Sequence, residues 1–223
     1  MTNYGVKKEN VIVCDTRGVV YKGRTAGMNE HKEEFAVDTS KRTLEEALKG
    51  ADVFVGVSAA GALKPEYLAQ MAQNPVIFAM ANPEPEIHPA AAKAVRADSI
   101  IATGRSDYPN QINNVMCFPF LFRATLDTRS SEINEQMKMA AAVALAELAR
   151  QEVPAEVSQA YEGRRFAFGP DYIIPTPFDP RLLYTISKAV AKAAMSSGAA
   201  TQNIDDWAEY ENELRMKTMH TYF

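Results

Sequence analysis

Two adjacent asparagines, Asn113 and Asn114, stand directly before the apolar run "VMCFPFLF". A buried amide without a partner costs about 1–3 kcal/mol. One of the two is explained as the cap of the helix that follows, since a single side chain suffices there. The other must then be satisfied elsewhere, by backbone or by a ligand. A third amide, Asn82, precedes Pro83, which holds it extended at a strand end. There it can donate to a carboxylate or carbonyl and accept from a hydroxyl; an Asx turn explains it equally well. Asp15 closes another apolar run, with Arg17 two residues on. An acid at a strand's carboxyl end binds the ribose hydroxyls of a dinucleotide, or simply ties a turn. Arg17 meets a 2′-phosphate or faces solvent. In "GVSAAG" (Gly56–Gly61) small residues around Val57 and Ser58 let a ligand approach the backbone, unless the stretch is a plain βα turn.

These residues need elements to hold them. "NVIVCD" (Asn10–Asp15) reads as a buried parallel strand. "TLEEALKG" carries a capping box, Thr43 with Glu46, and a stop at Gly50. "ADVFVGVSAAG" is a second strand, and "KPEYLAQMAQN" is a helix with Pro65 at its first position. "PVIFAMANPEPEIHP" is a third strand, "PAAAKAVRAD" a helix, and "SIIATG" a fourth strand. Alternation of this kind implies a parallel sheet with helices on both faces, and ligands then bind outside the carboxyl ends of the strands. Those ends carry Asp15, Ser58, Asn82 and the loop from Gly104 to Asn114. The second half is helical. Ile133, Met137, Ala140, Ala141, Ala144, Leu145 and Leu148 share one helical stripe. Asp179 and Pro180 open a helix that stops at Gly198, and "DDWAEYENELRMKTMH" is a last amphipathic helix.

Composition narrows the function classes. The 223 residues are 47% hydrophobic and 23% charged, with net charge −4. No basic patch suggests nucleic acid, no segment has the length of a membrane span, and no apolar leader opens the chain. Cys14 and Cys117 each lie in an apolar run, which fits a cytoplasmic chain with two buried thiols. With only His31, His88 and His220 beside them, no metal-ligand spacing arises. Glu84 and Glu86 read as solvated acids, and Arg105 with Asp107 as an internal ion pair. There is no GxSxG, P-loop or HExxH.

Five ordered stretches, "VIVCDTRGVVYKGR", "GADVFVGVSAAGALKPE", "VIFAMANPEPEI", "IIATGRSDYPNQINNVMCFPFLFR" and "YIIPTPFDPRL", together resemble the nicotinamide-binding domain of malic enzyme. The similarity is greatest to the bacterial, decarboxylating, NADP-type subfamily and extends from about Val6 to Gly198. It implies a Rossmann-like, doubly wound α/β sheet with a C-terminal helical extension. It implies oxidative decarboxylation of (S)-malate to pyruvate and carbon dioxide, with NAD or NADP as oxidant and Mg or Mn as the metal. Asn82 and Asn113 match family asparagines at malate and the nicotinamide, and Asn114 is the adjacent amide. Asp15, Arg17, Val57 and Ser58 fall where the family binds cofactor. The NAD-or-NADP choice stays open: Asp15 favours the former, Arg17 the latter.

The departure from the family is at the front. Its first strand, the glycine-rich turn for the pyrophosphate, and the N-terminal part with a Tyr–Lys acid–base pair and the metal ligands have no counterpart. The sheet is expected to lack its first βα unit, leaving a gap beside "VIVCD" or an inward slip, and exposed strand edges. No catalytic residue or metal ligand is assigned to this chain. It reads as a truncated enzyme, inactive alone. Expected divisions are 1–131 for the partial dinucleotide-binding domain, 132–198 for helices completing it, and 199–223 for a tail or linker. Expected partners are malate and pyruvate, a further copy of the chain, or the missing N-terminal half. A different class remains open: a non-catalytic nucleotide-binding or subunit-assembly module.

Overall fold

The computed structural model describes residues 1–221, with side chains to residue 217. The last two residues of the expected 199–223 tail lie outside the described residues. The chain divides into two compact units, Met1–Ile100 and the remainder from Ile101.

In the first unit, β1 (Cys14–Asp15) and β2 (Gly18–Val19) pair antiparallel, Cys14 opposite Val19 and Asp15 opposite Gly18. This corrects the expectation of a parallel strand over "NVIVCD". Extended backbone needs a neighbour for its N–H and C=O groups. Here the neighbour is the chain's own return: Val20 N–H also donates to the Val13 carbonyl at 2.8 Å. The hairpin forms a sheet separate from the other strands, so the expected inward slip to pair with them does not occur. Gly18 makes the turn possible with φ 103°; a Cβ there would lie 2.1 Å from the Arg42 carbonyl oxygen.

Two short helices follow. α1 (Glu30–Glu34) is capped by Asn29, whose side chain accepts from Lys32 N–H. α2 (Leu44–Leu48) has the expected capping box: Glu46 N–H donates to Thr43 Oγ1 at 3.2 Å and Thr43 N–H to Glu46 Oε2 at 3.0 Å. β3 (Val53–Gly56) is joined through α3 (Pro65–Leu68) to β4 (Val76–Ala79), and through α4 (Pro89–Val95) the chain reaches β5 (Ile100–Thr103). β3 and β4 are parallel, in register from Val53↔Val76 to Gly56↔Ala79. Each crossover helix supplies the return that parallel pairing requires. The strand order is β3-β4-β5, an α/β fold with a three-stranded parallel sheet. β3 is an edge, and Val53 and Val55 are exposed on it.

The second unit is helical: α5 (Phe118–Asp127), α6 (Glu135–Ala149), α7 (Ala155–Ala160), α8 (Arg181–Ser196) and α9 (Trp207–Thr221). The anticipated stripe of α6 is the face that packs, with Met137, Ala141, Ala144 and Leu148 buried. They meet Leu182, Ile186 and Val190 of α8 and Leu121 of α5 in one core. Asp179 accepts from Arg181 N–H at the start of α8, and Gly198, with φ 77°, ends it. Tyr210 and Leu214 bury one side of α9 against the same core.

Candidate functional site

The hairpin fixes Asp15 and crowds it with cations. Arg24 Nη2 donates to both carboxylate oxygens at 2.8 Å, Lys32 Nζ donates at 2.7 Å, and Arg17 N–H donates at 2.9 Å across the turn. Arg24 is buried and is held by carbonyls of Gly18, Val19 and Ala26 as well. Desolvation pushes the Asp15 carboxyl up, but the bonds from Lys32, Arg24 and Arg17 outweigh it and hold it well below the usual carboxylate range. Two cationic side chains, Arg24 and Lys32, meet this one anion, and the Arg17 side chain lies beside Gly27. The hairpin therefore presents surplus positive charge, and Lys32 and Arg17 are the members that reach solvent.

The ends of β3 and β4 are tied together from below. Glu86, expected to be solvated, is fully buried. Its Oε1 accepts from Ser58 N–H at 2.7 Å and from Ser58 Oγ at 3.0 Å; its Oε2 accepts from Ala81 N–H at 3.0 Å. A buried carboxylate must be met by donors, and three converge on it here. Glu84 does face outward, 3.2 Å from His88. Both donors of Ser58 are thus turned inward, while Val57 is 79% exposed. Asn82 is exposed one residue beyond Ala81, before a cis peptide bond to Pro83.

In the second unit, Asn113 and Asn114 are exposed, not buried. Asn113 Oδ1 accepts from Val115 N–H at 3.0 Å and caps a single 3-10 turn, Asn114–Met116. The cap uses only the carbonyl oxygen of that amide. The buried amide of this loop is Asn110, which the sequence reading missed. Its Nδ2 donates to the Ile101 and Pro170 carbonyls at 2.9 and 2.7 Å, and its Oδ1 accepts from Ile173 N–H at 2.8 Å. The signal was present: Pro109–Asn110 is a turn dipeptide, and Asn110 has φ 55°, a conformation asparagine tolerates. Arg105 pairs with Asp107 as expected.

Among the described residues no group of three or more His, Cys, Asp or Glu could hold a metal ion. Cys14 and Cys117 are free and half-buried, and burial pushes both thiols up.

Asp15, Arg17, Val57, Ser58 and Asn82 lie in the first unit, and Asn113 and Asn114 in the second. The family described as malic enzyme, NAD binding domain, matches residues 4–160. The chain is 58% identical over 210 residues to the NADP-dependent malic enzyme of Rhizobium meliloti (strain 1021), covering 94% of this chain and 28% of that enzyme. It is 53% identical over 214 residues to the NAD-dependent malic enzyme of the same organism, covering 96% and 28%. The crystal structure of the Entamoeba histolytica malic enzyme superposes with a TM-score of 0.83 at 28% identity, covering 98% of this chain and 44% of that one. The chain thus spans less than a third of the length of these curated relatives. The family match covers more than half of the sequence, and the α/β fold agrees with it: the chain belongs to the malic enzyme family, through its NAD-binding domain.

Proposed function

We propose that the chain is the NADP-binding part of a malic enzyme that oxidatively decarboxylates (S)-malate to pyruvate and carbon dioxide. The observation that carries the cofactor choice is the Asp15 cluster. A free acid at this place would favour the 2′-hydroxyl of NAD and repel the 2′-phosphate of NADP. Asp15 is engaged by Arg24 and Lys32, and the surplus charge of Lys32 and Arg17 attracts a phosphate. Bound nicotinamide supplies the hydride acceptor for C2 of malate. The chain's own residues bind and orient. Arg17 and Lys32 hold the 2′-phosphate; Val57 and the turn at Ser58 line the cofactor's path; Asn82 holds the nicotinamide end of the cofactor or malate. Asn113, with its carbonyl oxygen in the cap, offers Nδ2 to a carboxylate, and Asn114 adds a second amide. The metal of the reaction would be held by residues other than those described.

A second reading is a nucleotide-binding or assembly fragment that is inactive alone. The missing metal-ligand cluster among the described residues favours it. Self-association or a complementary chain at the exposed β3 edge belongs to either reading, as does a cytoplasmic setting, with which two free thiols accord. No helix among the described residues is long and apolar enough to cross a membrane. Both readings are tested by incubating the chain with (S)-malate, NADP and manganese ion. The expected result is NADP binding without NADPH or pyruvate formation. Appreciable turnover would refute the view that the chain is catalytically incomplete.

A further inference from the structure

Glu86 has no role in the site as the sequence presents it, yet it is the most heavily committed side chain near it. It is fully buried, and its two oxygens reach two different loops. One oxygen holds both donors of Ser58 in the loop after β3. The other holds Ala81 N–H in the loop after β4, next to Asn82. The backbone around it repeats the tie. Leu63 N–H donates to the Glu86 carbonyl at 3.1 Å, and Gly61 N–H to the Pro85 carbonyl at 3.2 Å. Space for the carboxylate exists because residue 56 is glycine; a Cβ there would lie 2.4 Å from the Glu86 carboxyl carbon. A glycine at the end of a parallel strand, an inward acid in the loop after the next strand and three converging donors form one assembly.

We infer that Glu86 is a positioning residue. It fixes the Val57–Ser58 loop and the Asn82 loop at one spacing, so that both meet a bound dinucleotide without rearrangement. This rests on the cofactor reading above for what the loops meet. The tie between the loops rests on geometry alone. Removing the carboxylate leaves Ser58 N–H and Ala81 N–H without their acceptor, and each loop then moves independently. Misplacement of a binding group by about 1 Å costs on the order of 100-fold in rate in a working site.

The test uses the chain carrying Glu86→Gln, with Ser58→Ala as a milder variant that removes only the hydroxyl bond. Two quantities are read: hydrogen exchange at the backbone amides of positions 58 and 81, and NADPH affinity. In Glu86→Gln the single amide oxygen can accept from one loop only, so the amide of position 58 or of position 81 is expected to lose protection while exchange in β4 is unchanged, and NADPH affinity falls at least about tenfold. In Ser58→Ala the amide of position 81 keeps its protection. Unchanged protection at both amides in Glu86→Gln overturns the tie. Loss of protection with unchanged NADPH affinity overturns the positioning role. A wild-type chain that binds no dinucleotide contradicts the cofactor reading and with it the positioning role, while the exchange result still decides the tie.

Discussion

Asp15 accepts from donors two, nine and seventeen residues away, and its neighbours decide what the hairpin can bind. Lys32 is partly exposed and bridges Asp15 to the Gly27 carbonyl. Lys32→Ala should weaken NADPH binding about tenfold, equal to about 1.4 kcal/mol, and leave NADH binding unchanged. Calorimetric titration at low ionic strength checks it, because added salt screens such a contact. The same cluster gives a pH dependence. Asp15 is depressed in the folded chain, so its contribution is complete above the ordinary carboxylate value of about 4 and is lost as pH falls further. Arg24→Met should reduce that acid sensitivity, with the Lys32 and Arg17 bonds retaining a share, read as the shift of the unfolding midpoint between about pH 7 and pH 3. At this scale the sequence was partly legible. Asn113 as a cap was visible, because its partner Val115 is two residues away. Arg24 and Lys32 were not, since only the folded hairpin brings them to Asp15. Glu86 was misread because "PEPEI" looks solvated until the glycine beneath it is placed.

Elements with local causes were read well. Thr43 and Glu46 satisfy each other's backbone within one turn, so the start of α2 needed no tertiary knowledge. Thr43→Ala should cost about 1 kcal/mol, measured by urea unfolding. The stripe on α6 likewise states which face is buried. Leu148, fully buried in that core, should cost about 2–5 kcal/mol when changed to alanine, with the same measurement. The first strand failed for the complementary reason. "VIVCD" has the composition of a buried parallel strand, but a strand is defined by its neighbour, and no composition supplies one. Its backbone closed on the nearest available partner, the stretch after the Asp15 turn.

For the molecule as a whole, the chain divides into two compact units, Met1–Ile100 and Ile101 onward. Tyrosine titration marks the second unit. Burial raises Tyr210 to about 12, and its hydroxyl donates to Asp127 at 2.8 Å, pinning α9 to α5. Burial also raises Tyr172 to about 12, with the Asp179 charge adding to it. Their folded values exceed the ordinary value of about 10, so their contribution is complete below about pH 10 and is lost as pH rises through 12. Absorbance at alkaline pH should show Tyr172, Tyr184 and Tyr210 titrating late in the folded chain, and Tyr210→Phe should remove one of them. The α/β class and the helical second half were legible because alternation and periodicity are chain-local. The division near Ile100 was not, since it depends on which contacts the folded chain makes.

The most direct measurement is a side-by-side titration of the chain with NADPH and NADH. The surplus positive charge at Asp15, Arg17 and Lys32 predicts that NADPH binds at least about tenfold more tightly, and that the difference shrinks with salt. Equal affinities, tighter binding of NADH, or no binding of either would contradict an NADP-binding role for this chain.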